Sequence, residues 1–111
     1  MRITDLRRGP FVVASVEGEL NAACADIFLR HCLALIEGGE SNLVLDFTTL
    51  KYLSSAGLRA ILSVEKKRRE AGGVLALCSP SEHAAMVLQI AGLFSQLTVY
   101  PSLDHIPDRI S

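Results

Sequence analysis

Short apolar runs that alternate with helical segments constrain the fold of this chain more than any other feature. The runs cover residues 42–47, 74–78 and 97–100. The first of them is apolar at consecutive positions, which is typical of a strand that is covered on both faces. Strands that alternate with helices need right-handed crossovers, so the pattern predicts a mostly parallel sheet.

A hairpin is predicted before the first of these strands. Residues 2–6 form a short edge strand, and the β-branched segment 11–17 forms its partner after a turn at Arg8-Gly9-Pro10. Gly18 is expected to end the second strand. The hairpin would add an antiparallel edge to the parallel sheet.

Three amphipathic segments are predicted to be helices. Residues 22–37 follow Asn21, a good N-cap, and residues 55–71 carry apolar side chains at helical spacing. A third helix runs from the turn at 79–81 to about residue 91. The apolar positions expected on the inner faces of the first two helices are Cys24, Phe28, Cys32, Leu35, Ile36, Leu58, Ile61 and Leu62. The predicted order is ββαβαβαβ in a single α/β domain over residues 1–111.

Composition excludes several classes of function. The chain has 111 residues, is 50% apolar and has a formal net charge of −1, so no strong field would draw it to nucleic acid or to a membrane surface. No apolar run reaches membrane-spanning length, and the N-terminus has no apolar signal-peptide core. The odd number of cysteines fits a reducing cytosol, with Cys24, Cys32 and Cys78 as small core residues. We therefore expect one cytoplasmic domain.

A serine pair stands where a strand gives way to the second helix. Residues 43–58 read LVLDFTTLKYLSSAGL, which places Ser54 and Ser55 directly at the helix start. One interpretation is a helix cap. The other is a phosphate acceptor, because the positive end of a helix tolerates added negative charge.

Asp46 ends the strand before this turn, and two interpretations are open. It could be a phospho-acceptor of the kind that receiver domains carry. Such a site also needs an acidic pair after the first strand and a lysine after the last strand. The acidic pair is absent, and no lysine follows Lys67. The other interpretation is a turn residue that accepts hydrogen bonds from the loop at Thr48-Thr49.

Other chemical motifs are weak. The basic run 66–69 is either a solvated helix face or a contact for an acidic partner, and it lacks the aromatic interleaving of a nucleic-acid site. His31, His83 and His105 share no ligand spacing with each other or with the cysteines. We predict no metal, no cofactor and no catalytic residues, and hence a protein that is not an enzyme.

Several segments together resemble a known family. Residues 18–21 (GELN), 43–46 (LVLD), 52–59 (YLSSAGLR), 71–73 (AGG) and 90–94 (IAGLF) stand in the order found in the STAS domain, in its subgroup of anti-sigma factor antagonists. The resemblance covers about residues 3–106.

The resemblance implies a mechanism called partner switching. The unmodified antagonist binds a GHKL-type serine kinase that also acts as an anti-sigma factor, and the effector is released. Phosphorylation then weakens the complex, and a PP2C-type phosphatase resets it. The acceptor falls on Ser55, with Ser54 as a secondary candidate. The implied partner surface comprises Gly18, Asn21, Asp46, Thr48, Thr49, Ser54, Ser55, Ala56, Gly57 and Arg59.

Three positions depart from the family pattern. Ser54 and Asn21 stand where aspartate is frequent, and Ala56 stands where serine or threonine is frequent. The family also contains unphosphorylated subunits of membrane-associated transport complexes and modules that sense a small ligand, and both remain alternatives. We expect a monomer or weak dimer with no direct membrane insertion.

Overall fold

A computed structural model describes residues 1–92 and 97–107. The strands are β1 (Arg2–Arg8), β2 (Phe11–Leu20), β3 (Leu43–Asp46), β4 (Leu50–Leu53), β5 (Leu75–Cys78) and β6 (Thr98–Tyr100). The helices are α1 (Ala22–Glu37), α2 (Ser55–Ala71) and α3 (Glu82–Ile90), and a 3-10 turn spans Leu103–His105. Leu93 and Phe94, which belong to the last segment of the family resemblance, lie outside the described residues.

The sheet has the mixed topology that the sequence predicts. Its strands are ordered β1-β2-β3-β5-β6, with β1 antiparallel to β2 and the other neighbours parallel. The α/β class, the antiparallel N-terminal hairpin and the three helices are confirmed.

The second strand and the segment after β3 differ from the prediction. Gly18 does not end β2: the strand continues to Leu20 and pairs in parallel with β4, which the sequence analysis did not predict. The register shifts between Gly18 and Glu19, and Gly18 has a φ of +88°, a conformation that glycine adopts without steric cost. The irregularity lets β2 leave β3 and take β4 as its partner, so the element order is ββαββαβαβ.

Alternation along the strands gives the sheet two buried faces. Val12, Ala14 and Val16 face the helices, where Phe28, Cys32, Ile61, Val64 and Leu88 complete the larger cluster. Phe11 and Val13 face the other side, where Val44, Ala76, Cys78 and Ile106 form a smaller cluster beneath the C-terminal segment. Cys32 and Cys78 are core residues as predicted, Cys24 is half-buried against the larger cluster, and the three thiols are free.

The inner face of α2 differs from the prediction at one position. Leu62 is 40% exposed, whereas Gly57, Ala60, Ile61, Val64 and Glu65 form the buried stripe. The stripe is rotated because the helix packs on α1 as well as on the sheet, and this brings a carboxylate rather than Leu62 under cover.

Candidate functional site

The three segments that the sequence analysis assigned to partner binding meet at one end of the sheet. The amide of Gly18 donates to the carbonyl of Thr49 at 3.1 Å, and the amide of Ser54 donates to the carbonyl of Leu20 at 3.0 Å. The end of β2, the loop before β4 and the start of α2 therefore form one continuous surface. Asn21 follows directly and caps α1 by accepting from the amide of Cys24 at 3.2 Å.

The hydroxyl of Ser54 is fully engaged in holding this surface together. Its Oγ donates to the carbonyl of Leu20 at 3.0 Å and accepts from the amide of Gly57 at 3.0 Å. Ser54 is half-buried and is the N-cap of α2, which confirms the capping interpretation for this member of the pair.

The neighbouring hydroxyl of Ser55 is in a different environment. Ser55 is the first residue of α2 and is exposed, and its side chain makes no hydrogen bond within the part of the chain that the structure describes. The first turn of α2 contains no acidic side chain, so the positive end of the helix is not neutralised there. The structure thus separates two adjacent serines into a structural one and an available one.

Gly57 fixes how closely the start of α2 approaches β2. A Cβ at this position would lie 2.7 Å from the carbonyl oxygen of Leu20, 2.8 Å from Leu20 Cγ and 3.0 Å from Leu53 Cδ1. A side chain at this position would therefore push the serine pair away from the sheet.

Asp46 stabilises the loop between β3 and β4. It is 8% exposed, and its carboxylate accepts from Ser15 Oγ at 2.9 Å, from the amide of Thr48 at 3.1 Å and from Thr48 Oγ1 at 2.6 Å. This confirms its interpretation as a turn residue, and leaves Thr48 and Thr49 as the exposed residues of the loop. Burial, followed by the nearby Asp46 carboxylate, raises the pKa of the Cys78 thiol to about 12.

An aromatic contact between β4 and α3 was not predicted from the sequence. Tyr52 is exposed on β4, and its ring stacks on the ring of His83 from α3, with centroids 5.3 Å apart. The contact could not be predicted, because β4 is four residues long and shows no periodicity that would identify it as a strand, and His83 lies 31 residues later in the chain.

Arg59, the last predicted partner residue, lies one turn beyond Ser55. It lines a cavity of about 280 Å³ between α1 and α2, together with Ala22, Ala25, Asp26, Leu29, Ala56, Ala60 and Ser63. Its guanidinium forms no ion pair with any described residue, so it is available for a partner.

The basic run at the other end of α2 is partly committed to the fold. Glu65 is 3% exposed and binds both Arg68 and Arg69, the latter at 3.1 Å. Arg68 Nη1 also donates to the carbonyl of Gly73 at 3.3 Å. The spacing of Glu65 and Arg69 in the sequence predicts their ion pair. It does not predict that the carboxylate is buried, or that Arg68 makes more hydrogen bonds to it than Arg69 does.

The histidines and acidic side chains do not form a metal site in the part of the chain that the structure describes. Within residues 1–92 and 97–107, no three His, Cys, Asp or Glu side chains lie close enough together to hold a metal ion. His31 instead contacts Asp5 at 2.9 Å, and His105 contacts Ser102 at 2.9 Å. None of the helices in these residues is long and apolar enough to cross a bilayer.

Comparison with known proteins decides the family. Residues 3–106 match the STAS domain family. The chain is a STAS domain. It is 36% identical over 95 residues to BtrV of Bordetella bronchiseptica, which carries the name of an anti-sigma factor antagonist, and the match covers 86% of this chain and 82% of BtrV.

Solved structures share the fold of this STAS domain. A crystal structure from Thermotoga maritima, described as an anti-sigma factor antagonist, superposes with a TM-score of 0.87 at 22% identity, over 92% of this chain and 88% of that one. The antagonist SpoIIAA in its unphosphorylated form has a TM-score of 0.77 at 20% identity, over 93% and 89% of the two chains. SpoIIAA has also been solved in a phosphorylated form, with a TM-score of 0.73 at 20% identity, over 93% and 92%.

Proposed function

We propose that this STAS domain is a cytosolic, non-enzymatic antagonist of an anti-sigma factor, which it binds until Ser55 is phosphorylated. The observation that carries the proposal is the difference between the two adjacent serines. Ser54 Oγ has both a donor and an acceptor partner in the fold, whereas Ser55 is exposed at the first position of α2.

The chemistry of a phosphate at Ser55 fits a switch. A phosphoserine carries a charge of about −1.5 to −2 and three acceptor oxygens, and it is tolerated at a helix N-terminus. The domain would keep its fold, because the exposed side chain of Ser55 makes no hydrogen bond with any described residue that the phosphate would break. A partner surface shaped for a neutral hydroxyl would then have to bury an unpaired charge, which is costly.

The names of similar proteins support the same function. The relative at 36% identity is named as an anti-sigma factor antagonist, and the fold neighbour SpoIIAA exists in both unphosphorylated and phosphorylated forms. We infer that the partner of this domain is a GHKL-type serine kinase that acts as the anti-sigma factor, and that a PP2C-type phosphatase removes the phosphate.

The proposed interface divides into contacting and positioning residues. Thr48, Thr49, Ser55 and Arg59 are exposed and would contact the partner, together with the partly exposed Asn21 and Ala56. Gly18, Asp46, Ser54 and Gly57 would act by holding those residues in place, since their hydrogen bonds and close contacts lie within the domain.

Binding to each GHKL-type serine kinase of the same genome tests the proposal. Wild-type protein and Ser55→Ala should bind one of them equally, whereas Ser55→Glu should bind it at least about 30-fold more weakly, because an unpaired charge is left in the interface. Thr98→Glu, which places the same charge on an exposed hydroxyl of β6, is the matched control and should bind like wild type.

Wild-type affinity in Ser55→Glu would contradict the proposal. Stable capture of a transporter ATPase with no phosphate on Ser55 would instead favour the subunit alternative. Saturable binding of a nucleotide or lipid by the isolated domain would favour the ligand-sensing alternative.

A further inference from the structure

A groove runs between α1 and α2, beside the proposed kinase-binding surface. It consists of the cavity of about 280 Å³ described above and a second cavity of about 240 Å³. Both cavities are lined by Ser63, so they lie next to each other along the two helices. The second is further lined by Leu33, Lys66, Lys67 and Glu70. We refer to the two cavities together as the α1–α2 groove.

The shape of the α1–α2 groove fits a helix. Its α2 wall spans residues 56–70, a length of about 21 Å at 1.5 Å per residue. Its floor is made of small side chains where the two helices approach, namely Ala22, Ala25, Ala56, Ala60 and Ser63. A partner helix of about four turns could lie along this floor as a third helix beside the pair.

The charge of the groove indicates which kind of helix fits. Helix α2 contains five basic and two acidic residues, a net charge of +3, while the whole chain has −1. Arg68 and Arg69 are already bound to Glu65. Arg59, Lys66 and Lys67 line the groove and form no ion pair with any described residue.

The groove carboxylates do not cancel this charge. Asp26 is paired with Arg30 at 2.8 Å, which leaves Glu70 as the lining carboxylate without an ion pair in the described part of the chain. The groove therefore presents an excess of positive charge along one wall, next to an apolar floor. Arg59 and Lys66 are seven residues apart, which is about two helical turns or roughly 10 Å.

We propose that the α1–α2 groove binds a helix of a partner protein that carries two acidic side chains about two turns apart, beside a stripe of small apolar residues. The acidic side chains would pair with Arg59 and with Lys66 or Lys67. The groove begins at Ala56, directly beside Ser55. The identity of the partner rests on the proposed function: it is the anti-sigma factor kinase, which would cover the Ser55 surface and the groove together.

Two substitutions block the groove by different means, and each has a matched control. Ser63→Phe places an aromatic ring at the residue that lines both cavities, and Leu62→Phe adds an aromatic ring to the same helix outside the lining. Lys66→Glu reverses a groove charge, and Arg2→Glu makes the same change on β1. All four positions are exposed, so the fold should survive, as melting curves will verify.

Two probes separate this inference from the proposed function. One is the anti-sigma factor kinase. The other is a 15-residue helical peptide with glutamates at positions 4 and 11 beside an alanine and leucine stripe, titrated into the labelled full chain by NMR. The peptide should shift amide signals of α1 and α2. Ser63→Phe and Lys66→Glu should each weaken the binding of both probes about tenfold, which corresponds to a loss of roughly 1.4 kcal/mol of binding free energy. The two control variants should bind both probes like wild type.

The outcomes are distinguishable. If the kinase binds all four variants like wild type while Ser55 still accepts phosphate, the groove inference is wrong and the proposed function stands. If the peptide binds in the groove but no GHKL kinase binds the wild-type protein, the groove stands and the proposed function fails. Peptide shifts outside α1 and α2, or a dimer of this chain that Ser63→Phe dissociates, would overturn the assignment of a partner helix to the groove.

Discussion

The two ends of α2 meet the rest of the protein in different ways. At the C-terminal end, a buried carboxylate holds two arginines, one of which also reaches the carbonyl of Gly73. At the N-terminal end, Ser54 connects the helix to β2, but the next hydroxyl, that of Ser55, is exposed without an internal partner in the described residues. The buried Glu65 cluster at the C-terminal end is committed to stability, while the N-terminal end combines a rigid anchor with an available group.

This difference shows how a small domain can change its binding without changing its fold. A charge added at Ser55 falls on the end of the helix that favours negative charge, and the anchoring contacts of Ser54 and Gly57 lie on its inner side. The response to the charge is therefore left to whatever docks on the surface. Loss of the buried contacts at the C-terminal end should therefore change stability alone, whereas substitutions around the serine pair should also change binding.

The largest expected effect is steric and lies just beyond the C-terminal end. A Cβ on Gly73 would lie 2.0 Å from the carbonyl oxygen of Ser41, so Gly73→Ala must move backbone and should lower the free energy of unfolding by about 3 kcal/mol or more. Urea denaturation measures the loss. The folded fraction should keep wild-type affinity for the kinase, and a selective loss of affinity would contradict the division between the two ends.

The matching change at the N-terminal end should affect both properties. Gly57→Ala meets the Leu20 carbonyl at 2.7 Å and should cost about 2 kcal/mol. Because the serine pair is displaced from β2, kinase binding by the folded protein should also weaken. Equal binding by Gly57→Ala and wild type at a temperature where both are folded would show that the close approach serves stability alone.

An effect of similar size, on stability alone, is expected from Arg68 at the C-terminal end. Arg68→Ala removes the main partner of the buried Glu65 carboxylate and should cost about 2 kcal/mol, because a buried charge is left with one exposed partner. Arg69→Ala, whose side chain is 68% exposed, should cost about 0.5 kcal/mol. Equal losses in thermal or urea unfolding would contradict the leading role of Arg68.

The smallest effect separates the two serines. Ser54→Ala removes an N-cap and should lower stability by about 1 kcal/mol, whereas Ser55→Ala should change it by less than about 0.5 kcal/mol. Chemical denaturation of the two variants side by side measures the difference. A larger loss in Ser55→Ala would indicate that Ser55, rather than Ser54, holds the helix start.

Local signals in the sequence were sufficient for much of the fold. Asn21 and the residues after it predict the start of α1, and the bounds of α2 agree with its serine start and its glycine end, because caps and helical periodicity act over a few residues. Strand β4 was missed, since four residues between a turn and a helix carry too little pattern.

The features that the sequence analysis missed depend on distant partners. In the sequence, Gly18 indicates the end of a strand. The pairing of residues 18–20 with β4 shows that β2 continues beyond it. The prediction of the inner face of α2 was wrong at Leu62, because contact with α1 sets the rotation of the helix about its axis. The separation of Ser54 from Ser55 rests on the Leu20 carbonyl, 34 residues earlier in the chain.

The most direct test is to locate the phosphate. Wild-type protein, Ser54→Ala and Ser55→Ala are each incubated with the GHKL kinase that binds the domain and with ATP, and fragment masses are then mapped. We predict a single phosphate on Ser55 in the wild-type protein and in Ser54→Ala, and none in Ser55→Ala. Phosphate on Ser54, or undiminished phosphate in Ser55→Ala, would contradict the account.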